Sequence, residues 1–177
     1  MAQANSSGTV DASNAGTITG TAEEIIDAYD DSTITEASDV ALTVNTANSG
    51  TATLTQARSL DDLTTGVITA TIADTALSDL LDDSTPLLDA NGNNAFTITI
   101  GSGDASASAA DLNALDALTT VAIDAGNVTA ITSSSLADIN TLYASSGFSG
   151  LGDQDITASD SGSIAASTIT TIATANS

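Results

Sequence analysis

The sequence predicts an α/β solenoid, a stack of short strand–turn–helix repeats, with an all-β solenoid or sandwich as the alternative. Three observations lead there. The block Ala110-Asp111-Leu112-Asn113-Ala114-Leu115-Asp116-Ala117 returns 27 residues later as Ala137-Asp138-Ile139-Asn140-Thr141-Leu142-Tyr143-Ala144, and self-similarity at such a period marks repeat architectures. Segments of strict polar–apolar alternation are interspersed with segments whose apolar residues lie three apart, the strand and helix periods in turn. Aromatic residues make up only 2 % of the 177-residue chain. An interior of Ala, Ile, Leu and Val fills a thin repeated core more readily than a thick globular one.

The helix-type element is clearest at Leu112/Leu115 and Ile139/Leu142, each pair forming one apolar stripe beside Asp and Asn. Ser106 or Ser108 precedes the first and Ser134 or Ser135 the second as N-cap. Ala22–Tyr29 is a looser copy, entered through a Thr21/Glu24 capping box. Ser59–Leu63 and Leu77–Leu81 are looser still. An acidic residue in the first turn suits the positive end of the helix dipole.

Thr17-Ile18-Thr19, Thr33-Ile34-Thr35, Thr53-Leu54-Thr55 and Phe96-Thr97-Ile98-Thr99-Ile100 alternate strictly and predict short, half-buried strands. A longer strand-type motif, Val10-Asp11-Ala12-Ser13-Asn14-Ala15-Gly16-Thr17-Ile18-Thr19, parallels Ile123–Thr132 and, further on, Ile164–Ile172. A helix block follows the first two copies. The third copy predicts that the chain stops in mid-repeat without a cap, as a piece of a longer protein or an end that another subunit completes. Asp82–Asn94 carries Pro86 and an Asn91-Gly92 turn signal, so an irregular insertion is expected at about 82–95 within a single repeat domain spanning 1–177.

Composition excludes more than the motifs establish. The chain has 23 acidic residues against one basic residue, Arg58, for a net charge of −22, and it has no His, Cys or Trp. Imidazole bases, thiolate nucleophiles, zinc fingers and iron–sulfur ligand sets are therefore ruled out. A single cation leaves no electrostatic footprint for nucleic acid or an anionic membrane. Self-repulsion of this size is best tolerated in brine or seawater, where the screening length falls to about 4 Å. No apolar run approaches the roughly 18 residues that cross a bilayer. The opening Met1-Ala-Gln-Ala-Asn-Ser-Ser7 lacks the basic and apolar regions of a signal peptide, and reads as an internal boundary or as export without an N-terminal leader.

The Ala110–Ala117 block, with Val10-Asp11-Ala12-Ser13 and Thr17-Ile18-Thr19-Gly20-Thr21-Ala22-Glu23-Glu24, resembles two sets of repeats. One belongs to giant Thr- and Asp-rich cell-surface proteins of marine cyanobacteria and other bacteria; the other belongs to phage tail fibres. The resemblance covers about half the chain, at 9–30, 105–148 and 161–175. It implies an extracellular, non-enzymatic, repetitive structural or adhesive role, and it transfers no catalytic motif.

Four kinds of site follow from the residues. Asp89, Asn91 and Asn93 alternate as oxygen donors around Gly92 and form the candidate Ca²⁺ site, with a type I′ turn bearing solvated acids as the competing reading. Asp153-Gln154-Asp155 and the pairs Asp30-Asp31, Asp61-Asp62 and Asp82-Asp83 are weaker candidates, so diffuse binding of divalent cations is expected over a defined cage. Thr-x-Thr strands stacked at about 4.8 Å would make a hydroxyl array suited to ice. Paired carboxylates can hydrolyse glycosides, but the sugar-binding aromatics are missing and the serines have no base, so an enzyme is not expected. The open ends of a solenoid invite self-association, head to tail or with flanking repeats of a longer chain. The expected role is an extracellular structural or adhesive module from a saline environment, possessing weak divalent-cation binding and end-to-end assembly. The alternative is a ligand-binding module, either a tail-fibre receptor binder or an ice binder.

Overall fold

Helix starts are set by short hydroxyl side chains. Thr21 Oγ1 accepts the Glu24 amide at 3.2 Å while Glu24 Oε2 accepts the Thr21 amide at 3.0 Å. Thr53 and Gln56 form the same reciprocal box at 3.2 and 3.0 Å. Ser108 Oγ takes the Asp111 amide at 3.0 Å and Ser135 Oγ the Asp138 amide at 3.1 Å. Each such cap is worth about 1 kcal/mol.

The computed structural model describes residues 8–45, 50–73, 76–82 and 93–177. In chain order the elements begin β1 (Val10–Ala12), β2 (Thr17–Gly20), α1 (Ala22–Asp30), β3 (Ile34–Glu36), β4 (Ala41–Val44) and β5 (Thr51–Ala52). They continue with α2 (Leu54–Leu63), β6 (Ile68–Ile72), α3 (Leu77–Leu80), β7 (Ala95–Thr97), β8 (Ser106–Ala107) and α4 (Ala109–Asp116). The last six are β9 (Ile123–Asp124), β10 (Ala130–Ser134), α5 (Leu136–Ala144), β11 (Phe148–Ser149), β12 (Asp155–Ala158) and α6 (Ala166–Ala175). A single 3₁₀ turn at Ser102–Asp104 separates β7 from β8. The protein is thus mixed α/β, with six α-helices among the described residues.

Every strand pair among the described residues is parallel, as expected where a helix carries the chain back between strands. Partners lie about one strand–helix unit apart: Val10 faces Ile34, Leu42 faces Ile68, Thr69 faces Ala95, Ile123 faces Phe148 and Ala130 faces Asp155. The register jumps once in the N-terminal half. Thr43 faces Thr69 but Thr51 faces Thr71, so eight residues on one side stand against two on the other. The shift falls between β4 and β5. The stretch around Pro86 lies largely outside the described residues, and Thr69 pairs with Ala95 across it at an ordinary separation.

Alternation within strands sends Leu42 and Val44, then Ile68, Ala70 and Ile72, then Phe96, Ile98 and Ile100 inward. Helical spacing adds Ile25, Leu60, Leu80, Leu112, Leu115, Ile139 and Leu142 to the same continuous cluster. Leu112 and Ile139 occupy the same position, the fourth residue of their helices, and both are fully buried. Neighbouring helices α1 and α2, α4 and α5, and α5 and α6 pack side by side.

Two strand expectations are corrected. Thr53-Leu54-Thr55 is the cap and first turn of α2, because the Thr53/Gln56 box opens a helix whose Ala57 and Leu60 are buried three residues apart. The segment after Ile164 is not a strand-type copy but α6, Ala166–Ala175. Within it Thr170, Thr171 and Thr174 donate their hydroxyls to the carbonyls of Ala166, Ser167 and Thr170.

Candidate functional site

Polar side chains that bridge distant segments and two outer surfaces are the candidates for function. The bridging side chains bond to residues 23–27 positions away in the sequence. Thr64 donates its hydroxyl to Val40 O at 2.6 Å, and Thr119 donates to Phe96 O at 2.7 Å. Both then accept the amide two residues on, Gly66 at 2.9 Å and Val121 at 3.2 Å. Ser145 and Gly147 repeat that turn after α5. Asn127 Nδ2 donates to Ile100 O at 2.8 Å, and Gln154 Nε2 donates to Val128 O at 3.2 Å.

The first amides of α3, α4 and α5 are held by side chains 24–27 residues further along the chain. Leu77 N donates to Asp104 Oδ2 at 3.0 Å, Ala109 N to Ser134 Oγ at 2.7 Å, and Leu136 N to Asp160 Oδ2 at 2.7 Å. Ser134 reaches inward because β10 bulges between Ile131 and Ser134, with Ser133 at φ 53°. Sequence reasoning missed these residues. A signal existed in Leu63-Thr64-Thr65 and Leu118-Thr119-Thr120, a shared Leu-Thr-Thr that follows α2 and α4.

Many of the acids serve local structure. Asp11 and Asp31 accept both the backbone amide and the hydroxyl of Ser13 and Thr33. These bonds hold both carboxyls below their ordinary pKa: for Asp11 the Ser13 hydroxyl contributes most, for Asp31 the Thr33 amide. Asp61 accepts from Asn94 Nδ2 at 2.8 Å, and Asp116 accepts from the Ser145 hydroxyl at 2.7 Å. One member of each pair Asp30-Asp31 and Asp61-Asp62 is therefore already engaged. Asp153 and Asp155 are exposed on either side of Gln154, whose side chain is buried. Among the described residues no three of His, Cys, Asp or Glu gather as a ligand set. Of the candidate calcium residues, Asp89 and Asn91 lie outside the described residues and Asn93 is exposed.

With 23 acids against Arg58, thermal stability is expected to rise with salt. Between about 0.01 and 0.5 M NaCl the Tm should climb by at least about 3 °C, with calcium acting at lower concentration. A flat or falling Tm would contradict a surface limited by self-repulsion.

Threonines form the first outer surface. Thr19 faces Thr43 and Thr43 faces Thr69 across β2, β4 and β6. Thr51 faces Thr71 and Thr71 faces Thr97 across β5, β6 and β7. Their strand neighbours point into the core, so these two uncharged rows point away from it, with strands about 4.8 Å apart and rows about 6.7 Å apart. The second surface is an apolar groove of about 360 Å³ lined by Leu136, Ile156, Ala158, Ile164, Ile169 and Ile172.

Tyr143 closes the C-terminal side. Its hydroxyl lies 3.0 Å from Gln154 Oε1 and 2.8 Å from Asn176 Oδ1. Burial, reinforced by the Asp153 charge, pushes its pKa up to about 12. Burial and then Glu36 also raise Tyr29. A raised folded-state pKa means that the neutral phenol contributes stability in full below pH 10.0, the unfolded value, and loses it as pH climbs toward about 12. Ultraviolet titration of the two tyrosines should show phenolate forming later in the native protein than in urea. Coincident curves would contradict both environments.

No described helix is long and apolar enough to cross a membrane. Comparison with protein-family models, curated proteins and solved structures finds no match to this chain.

Proposed function

We propose that the chain is an α/β solenoid and acts as an extracellular structural or adhesive module of a surface layer, filament or giant adhesin, without catalysis. One observation carries this reading: each strand pairs in parallel with a strand of the neighbouring unit, and side-chain bridges such as Thr64–Val40 and Thr119–Phe96 recur at the same reach. Such a molecule bears load through repeated hydrogen-bonded seams around a narrow aliphatic spine. Its acids stay hydrated and hold divalent cations diffusely. Saline surroundings suit that charge.

Force spectroscopy between handles at the two termini tests the reading. Units peel one at a time, each releasing roughly 90 Å of contour for a unit of about 26 residues. A single all-or-none rip of the whole chain would overturn it. Calcium titration is expected to be weak and unsaturated; one saturable site with micromolar affinity contradicts diffuse binding.

The threonine rows favour a second reading as an ice-binding face, since they place six hydroxyl and methyl groups in register without a charge. Thermal hysteresis with faceted ice crystals supports that reading, and unfaceted growth with no hysteresis removes it. Curvature weighs against it. Helices pack about 8–10 Å apart and strands about 4.8 Å apart, so a stack bends with its strands inside and its threonine plane is not flat.

A further inference from the structure

We infer that the C-terminal end of this chain receives the N-terminal unit of a second copy, parallel and head to tail. The inference rests on the stacked-unit reading proposed above and names its partner. The motif Ile123–Thr132 shows what such a segment does when a unit precedes it. Asp124 N donates to Ile98 O at 3.0 Å, and Asp124 O accepts from Ile100 N at 2.9 Å. Asn127 Nδ2 donates to Ile100 O at 2.8 Å, and Thr129 N to Ala105 O at 2.8 Å. All of these bonds run backward, to the preceding unit.

Val10–Thr19 is the same motif, with Val10, Asp11 and Asn14 in the places of Ile123, Asp124 and Asn127. Its turn is built identically: Asp11 Oδ1 accepts the Ser13 amide at 3.0 Å as Asp124 Oδ1 accepts the Gly126 amide at 3.0 Å. Among the described residues β1 and β2 pair only forward, with β3 and β4. Val10 and Asn14 are exposed on their backward edge.

Among the described residues β11 and β12 pair only backward, with β9 and β10. Beside them the groove under α6 exposes Ile164 and Ile169. The first amides of α3, α4 and α5 are bound by side chains further along the chain, and α6, like α3, has no side-chain cap from its own N-cap residue. Four large apolar side chains are exposed among the described residues, Val10, Val67, Ile164 and Ile169, and three of them sit at these two ends. A parallel strand edge beside an apolar groove calls for an occupant with its own strand edge and apolar side chains, and the N-terminal unit of another copy supplies both. Such a contact is heterologous and continues the internal seam. Like charge opposes it, so it strengthens as salt screens the 23 acids.

Sedimentation velocity of the full chain in low and high salt tests the inference, using Ile169→Glu to block one end and Val10→Glu to block the other. Both positions are exposed, and melting curves verify that the variants fold. The parent chain assembles in high salt, and each variant alone needs at least about tenfold more protein to do so. Mixed in equal amounts, the two variants form dimers and nothing larger, because one open face of each kind remains. A variant that assembles like the parent, or a mixture that stays monomeric while the parent assembles, overturns the inference. A parent that stays monomeric in high salt overturns it too, and if its force trace is still stepwise the stacked-unit reading stands without the docking.

Discussion

Phe96→Ala is expected to lower the unfolding free energy by about 3–5 kcal/mol, the range for emptying an aromatic site in a packed core. Phe96 is the largest fully buried side chain and lies midway along the chain. Around it the interior is made of small aliphatics held by strand register, such as Ala70 directly opposite on β6, and none of them can swing into the void. Its carbonyl also anchors the Thr119 hydroxyl, so relaxation of β7 would strain the seam to the next unit. Since domains of this size are stable by about 5–15 kcal/mol, the loss is a large fraction of the total. Urea denaturation measures it. Thr97→Ala, on the outward side of the same strand, should stay within about 0.5 kcal/mol. A Phe96→Ala loss below about 1 kcal/mol would mean that the side chain is not in a close-packed interior.

Asn94→Leu is expected to cost about 2–3 kcal/mol although it adds apolar surface to a buried site. Asn94 is 1 % exposed. Its Oδ1 accepts the Ile68 amide at 2.9 Å and its Nδ2 donates to Asp61 Oδ1 at 2.8 Å, so one side chain ties β7's unit to the strand and the helix before it. Leucine leaves the Ile68 N–H buried without an acceptor and takes a donor from a carboxylate. Hydrogen exchange reads this directly: the Ile68 amide should lose protection while Ala70, deeper in the same strand, keeps it. Unchanged stability with an unchanged Ile68 amide would contradict the bridge. Asn94 and Phe96 are close enough to couple, so the double variant should not be the sum of the singles.

The helices of this fold are written locally and were therefore legible. A hydroxyl cap, an acid three residues on and apolar residues at three-residue spacing define α1, α4 and α5 within a dozen residues each. Three residues of Thr–Leu–Thr alternation are too few to separate a strand from a helix start. Gln56, Ala57 and Leu60 decide the matter for α2. For α6 the likeness of Ile164–Ile172 to the Val10–Thr19 motif pointed to a strand, whereas in the helix Thr170, Thr171 and Thr174 turn their hydroxyls back to carbonyls four residues earlier. Register lay beyond local reading because it joins residues some 20–26 positions apart.

The bridging residues were overlooked for a different reason. Thr64 and Thr119 belong to no motif and Asn94 fell in the expected insertion, yet all three are buried and each satisfies a carbonyl or amide 23–26 residues away. The acids were read as solvated charge, and several instead close turns or hold helix amides. The charge excess thus serves local folding as well as hydration.

Because the chain has no cysteine, paired cysteines report strand order without background. Thr19, Thr43 and Thr69 lie in one row on consecutive parallel strands. Neighbouring strands bring the Cα atoms to about 5 Å, within disulfide range, while strands two apart hold them at roughly 10 Å, outside it. Oxidation of the native protein should therefore link Thr19→Cys with Thr43→Cys, and Thr43→Cys with Thr69→Cys, while Thr19→Cys with Thr69→Cys stays reduced. Rapid linkage of that last pair, or none in the first two, would contradict the stacking of successive units.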